Sequence, residues 1–188
     1  MSKPEFSISP EQIAALVNPI RLEIYTVLRT DGAMTAKGLA ARLQRSEMSL
    51  YYHLRLLTAQ GLLLTESRPT ATKPETAYSV RGRMVVEDID LAEATNRLAV
   101  ERNFEAILKA AIREHRNAIE ALGNASHDDL SIGRLAVRLS PEHMVELRKR
   151  LRELSEWIDD NSAPEGRRCT LTFALLPLVA TFSPYDNI

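Results

Sequence analysis

Within the ten residues SEMSLYYHLR, a chain segment carries Ser46, Glu47, Met48, Ser49, Tyr51, Tyr52 and Arg55. Two hydroxyls, two phenols, a carboxylate and a guanidinium at this spacing do not make a nucleophile–base pair or a metal cage. They suit docking. Tyrosine hydroxyls bond to phosphates or base edges, and their rings pack against methyl groups. Arg42 and Arg45 precede the stretch, and Arg68 and Lys73 follow it.

That stretch needs a rigid support, and the surrounding pattern supplies one. Ser46 is placed to cap a helix that Gly61 ends, and Leu50, Leu54 and Leu57 recur at i, i+4 and i+7 as its buried stripe. Glu47, Met48, Ser49, Tyr51, Tyr52 and Arg55 are then expected to project away from that stripe. Upstream, Ser9-Pro10-Glu11-Gln12 reads as a capping box with proline at the first helical position. Asn18-Pro19 starts a second helix carrying Ile20, Ile24, Val27 and Leu28, which Asp31-Gly32 stops. Thr35 caps a third, with Leu39, Ala40 and Leu43 inward. After Gly61 the period changes: LLLTES and TAYSV are short β-like runs separated by RPTATKPE, a hairpin whose loop holds Arg68 and Lys73. Helices followed by a hairpin within about eighty residues have the order of a winged helix-turn-helix.

Residues 90–122 contain no proline or glycine, and apolar residues recur at Leu91, Ala94, Leu98, Phe104, Leu108, Ala111, Ile112, Ile119 and Leu122. At ~1.5 Å per residue this helix is roughly 50 Å long. A second copy is the economical partner for its stripe, with packing on the C-terminal segment as the other option. Asn124 to Asp129 is a polar break. Leu135, Val137 and Leu139 alternate as a strand, Ser140-Pro141-Glu142 opens a helix striped by Met144, Leu147, Leu151, Leu154 and Ile158, and Cys169, Leu171, Phe173 and Leu175 alternate as a last strand. The expected class is therefore α+β and mostly helical. It comprises an N-terminal winged helix-turn-helix over 1–85, then a long dimerisation helix and a small strand–helix–strand segment over 86–188, the second part a possible effector region.

Charge is divided unevenly. Residues 1–85 hold eleven Lys/Arg and seven Asp/Glu, a net of +4; the rest hold thirteen and eighteen, a net of −5. A basic first half suits a polyanionic partner. The single cysteine, Cys169, excludes an intrachain disulfide and a cysteine metal cage, and its place in an alternating run suits a small buried hydrophobe. His115, His127 and His143 are not at ligand spacing, so neither metal nor cofactor is implied. No Gly-rich phosphate loop, Gly-x-Ser-x-Gly elbow or paired His/Glu helix motif is present, and an enzyme is not expected. The carboxylate pairs Asp128-Asp129 and Asp159-Asp160 read as solvated turns. The first residues lack the apolar core of a signal peptide, and the run Leu171 to Phe182 is short and broken by Pro177. A soluble cytoplasmic protein with no membrane partner is expected.

Asn18-Pro19-Ile20-Arg21-Leu22, Leu39-Ala40-Ala41-Arg42-Leu43, and His53-Leu54-Arg55-Leu56-Leu57 with Gly61-Leu62 occur in order before a hairpin. Together they resemble the winged-helix transcriptional regulators of the arsenic-repressor (ArsR) family, over about residues 11–80. The resemblance implies a homodimer on double-stranded DNA, with the helix over 46–60 in the major groove and the hairpin wing on the backbone. The DNA-binding residues it implies are Arg42, Arg45, Ser46, Glu47, Met48, Ser49, Tyr51, Tyr52, Arg55, Arg68 and Lys73, with His53 packing at the core margin. Many relatives sense metals through cysteines in the preceding helix; TAKGLAARL has none. Tyr51 stands where the family often has a small residue, and Glu47 where it often has an uncharged one. A carboxylate there repels phosphate but accepts from a cytosine amino group. The other class of function is a winged-helix module that binds protein, with the tyrosine pair as its anchor.

Overall fold

The computed structural model describes residues 5–69, 73–85, 89–122, 131–163 and 165–176. Its elements run β1 (Glu5–Ser7), α1 (Pro10–Leu16), α2 (Pro19–Asp31), β2 (Met34–Thr35), α3 (Ala36–Leu43), α4 (Glu47–Ala59), β3 (Leu63–Arg68), β4 (Glu75–Val80), β5 (Arg83–Val85), α5 (Ala94–Leu122) and α6 (Pro141–Asp160).

Each of the first helices begins where a side chain can satisfy its orphan amides. Ser9 and Gln12 form the reciprocal box of α1, and Asn18 accepts from the amides of Ile20 and Arg21. Thr35 accepts from Gly38, and Ser46 from Ser49. Ile13 and Leu16 of α1, Ile24 and Leu28 of α2, Leu39 of α3, and Leu50, Leu54 and Leu57 of α4 then meet Leu62 and Leu63 in one buried cluster. The sheet has the order β2-β4-β3 with antiparallel pairs, so β3 and β4 form the predicted wing, and β2 covers its inner edge by pairing Met34 with Tyr78. This is a winged-helix head.

A second, parallel pair, β1 with β5, was not expected: Phe6 faces Met84 across it. Tyr25 of α2 donates its hydroxyl to the Gly82 carbonyl just before β5, and burial pushes that phenol up to about 12. Arg83 is buried between the carboxylates of Glu5 and Glu156.

The long helix exists, and its start packs on the head: α5 lies against α1, with Ala99 and Val100 on the core. Leu98, Leu108, Ile112 and Ile119 remain exposed. The expected C-terminal strand–helix–strand segment is corrected. α6 forms as predicted, but residues 131–140 and 165–176 contain no strand. Leu135 is 90% and Val137 65% exposed, and among the described residues neither segment has a partner strand. Alternation alone does not make a strand whose backbone groups lack a ladder. Cys169 is exposed for the same reason. The polar break at Asn124–Asp129, with the pair Asp128-Asp129, lies outside the described residues. Asp159 is not a turn residue; it lies in the last turn of α6 and pairs with Arg29 of α2 at 2.8 Å. Among the described residues, no helix is long and apolar enough to cross a membrane.

Candidate nucleic-acid interface

The turn that aims α4 is built from backbone geometry. Gln44 adopts the left-handed conformation at φ 53°, and the amide of Arg45 donates back to the Ala40 carbonyl at 3.0 Å. The chain reverses there, and Ser46 caps α4 by accepting from the Ser49 amide while the Ser49 hydroxyl donates to the Ser46 carbonyl. At the other end, Gly61 takes φ 68° and Gln12 of α1 donates to the Gln60 carbonyl at 2.7 Å. The helix is thus held at both ends and along its apolar stripe.

On its free side, Met48 is 80%, Tyr52 57% and Tyr51 45% exposed, and Ser46, Ser49 and Arg55 are exposed with them. Glu47 departs from expectation. It lies two helical turns before Leu54, nearly in phase with the buried stripe, and is only half exposed. The Tyr51 hydroxyl donates to its carboxylate, which places the pair on the flank of α4. That hydrogen bond first, then burial and the Glu47 charge, hold the Tyr51 phenol above its ordinary range; Tyr78 and Glu75 of the wing strand add to it. Glu47 is therefore a carboxylate with one hydrogen bond already made, and the outward flank belongs to Met48, Ser49, Tyr52 and Arg55.

His53 is half-buried, its ring edge-on to Tyr52 at 5.4 Å, with Nδ1 buried and unpartnered among the described residues. Desolvation, then Arg21 and Arg45, lower its pKa. Arg68 and Lys73 are exposed on the wing, where Arg68 sits opposite Glu75 in the hairpin register.

Arg42 and Arg45 are exposed but engaged. Arg42 donates to Asp31 at 2.7 Å and Arg45 to Glu23 at 3.3 Å. Neither carboxylate was read from the sequence as an arginine partner, because nothing in local spacing ties a residue of α2 to one in the next helix or turn. Arg21 was also missed as a neighbour of this face; its charge helps to lower the His53 pKa. Among the described residues, no group of three or more His, Cys, Asp or Glu is placed to hold a metal ion.

Residues 16–66 match the model of a family described as a helix-turn-helix domain. No curated protein matches. Among solved structures, the chain is similar to the YusO protein from Bacillus subtilis at 12% identity and a TM-score of 0.32, over 78% of this chain and 82% of that one. The matched residues cover α2, α3, α4 and most of β3, the elements whose packing and turn geometry are described above. Residues 16–66 form a helix-turn-helix domain, and the β3–β4 hairpin is its wing.

Proposed function

We propose that the protein is a homodimeric transcriptional regulator of the ArsR-like winged-helix group. It reads operator DNA through α4 in the major groove, with the wing on the backbone. The observation that carries this is the division of α4. Leu50, Leu54 and Leu57 are wholly buried, while Met48, Tyr51, Tyr52 and Arg55 stand exposed on a helix braced at both ends. A helix that is rigid beneath and polar-aromatic above suits readout of base edges, and exposed Arg68 and Lys73 suit phosphate contact. Residues 1–85 act as the DNA-binding part. Residues 86–188 act as the dimerisation part, with the open stripe of α5 as its seam and room for a small-molecule effector.

The test is fluorescence anisotropy with duplex from upstream of the protein's own gene, competed by random duplex at two salt concentrations. The expected outcome is competitor-resistant binding that weakens steeply as salt rises, because neutralised phosphates release counterions. Equal, weak binding to both duplexes rejects sequence-specific readout.

One observation favours a second reading, a protein-binding winged helix. Arg42, Arg45 and Glu47 already have partners, which leaves the face near-neutral around exposed Met48, Tyr51 and Tyr52. Such an interface would bind in a largely salt-insensitive way.

A further inference from the structure

Two carboxylates of α2 each stand between a cation of the helix-turn-helix and a cation from beyond it. Glu23 Oε2 accepts from Arg45 at 3.3 Å, while its Oε1 lies 3.2 Å from Arg113 of α5. Asp31 Oδ2 accepts from Arg42 at 2.7 Å, while its Oδ1 lies 3.8 Å from Arg168. The two carboxylate side chains are 22% and 17% exposed, whereas the four arginine side chains are 39% to 49% exposed. The carboxylates are the fixed members of each group, and the arginines are the members that solvent or a ligand can reach.

Of these groups, Glu23, Arg42, Arg113 and Arg168 line a cavity of about 190 Å³ between α2, α3, α5 and the segment holding Arg168. Leu22 and Ala110 give it apolar surface, and Arg42, Arg113 and Arg168 face it, against the carboxylates of Glu23 and Glu114. Guanidiniums converging on a partly apolar space suit a small molecule with two or more negative charges on a short carbon frame.

A shared carboxylate neutralises each of its two cations only in part. If the outer cation is drawn to another anion, the carboxylate's field falls on the inner one. The inner ones here are Arg45, directly ahead of the Ser46 cap of α4, and Arg42 of α3. We propose that this cavity binds a small dianion, such as a dicarboxylate or phosphate monoester, through Arg113 and Arg168, and that binding weakens DNA affinity by leaving Glu23 and Asp31 to Arg45 and Arg42. The inference rests on the reading of the head as a DNA binder.

The relay is testable without the natural ligand. Arg113→Gln, Glu23→Gln and the double variant are titrated with operator duplex at constant ionic strength, with circular dichroism as the fold control. Arg113→Gln is expected to weaken binding by about two- to fivefold and Glu23→Gln to tighten it by a similar factor, the range of partly exposed ion pairs. In the Glu23→Gln background, Arg113→Gln is expected to change nothing further. A full loss from Arg113→Gln in that background means direct DNA contact and overturns the relay. Succinate, citrate and inorganic phosphate are then each titrated calorimetrically into the full chain. Binding of at least one that is lost in Arg113→Gln/Arg168→Gln, and that lowers DNA affinity in the wild type, supports the site. Binding of none, or binding indifferent to both arginines, overturns it. A wild type that binds no duplex at any salt rejects the regulator reading instead, while calorimetry still reports on the cavity.

Discussion

Tyr52 and Arg55 lie on the outward flank of α4, and their removal leaves the buried stripe untouched. Tyr52→Ala and Arg55→Ala are expected to weaken operator binding by roughly tenfold each, within the range for single base-edge contacts. Sedimentation should show unchanged oligomeric state and a denaturation midpoint close to wild type. Normal operator binding by both variants would place the docking face elsewhere. His53 gives a pH signature. Its folded pKa is lowered from 6.5, so above that value both folded and unfolded forms are neutral and it has no effect on stability. As pH falls through 6.5 the unfolded chain takes up the proton first, and stability declines; His53→Gln should flatten that decline in urea titrations between pH 7 and 5. Apart from Glu47, the outward residues were legible from helical phase alone. The engagement of Glu47 was not, because its i+4 contact with Tyr51 depends on a rotamer choice that spacing does not express. Nor were the partners of Arg42 and Arg45, which a turn of the chain brings near from α2.

Helix beginnings were the most legible elements, because a cap is a contract between residues two or three apart. Ser9, Asn18, Thr35, Ser46 and Ser140 each cap as their sequence neighbours imply. Ser46→Ala should therefore destabilise the head by about 1 kcal/mol, and Leu54→Ala, which empties space at the centre of the cluster, by about 2–5 kcal/mol. Chemical denaturation of both variants checks the order; equal effects would mean that the stripe of α4 relaxes around the gap. Sheet partners were less legible. β1 and β5 are three residues each and pair across the whole head, so neither carries a periodic signal long enough to read. The alternation of Leu135, Val137 and Leu139 misled in the opposite way: the pattern is present, but the pairing that makes such a pattern a strand is not.

For the molecule as a whole, the balance between buried and open apolar surface differs sharply along the chain. The head closes on one core, whereas Leu108, Ile112 and Ile119 of α5 are 40% to 52% exposed on one helix. If that stripe is the seam between two copies, Ile112→Asp should shift sedimentation from dimer toward monomer and weaken operator binding with it, since each copy would then hold only one half-site. An unchanged dimer would move the seam off α5. α6 is the extreme case. None of its twenty residues is buried, and the pairs Asp159–Arg29 and Glu156–Arg83, both near its C-terminal end, tie it to the head. A helix that puts no residue into the core opens without the core having to open. Its backbone amides should exchange with deuterium well ahead of those in α2 and α4, and adding salt should hasten the exchange in α6 while leaving the core amides protected.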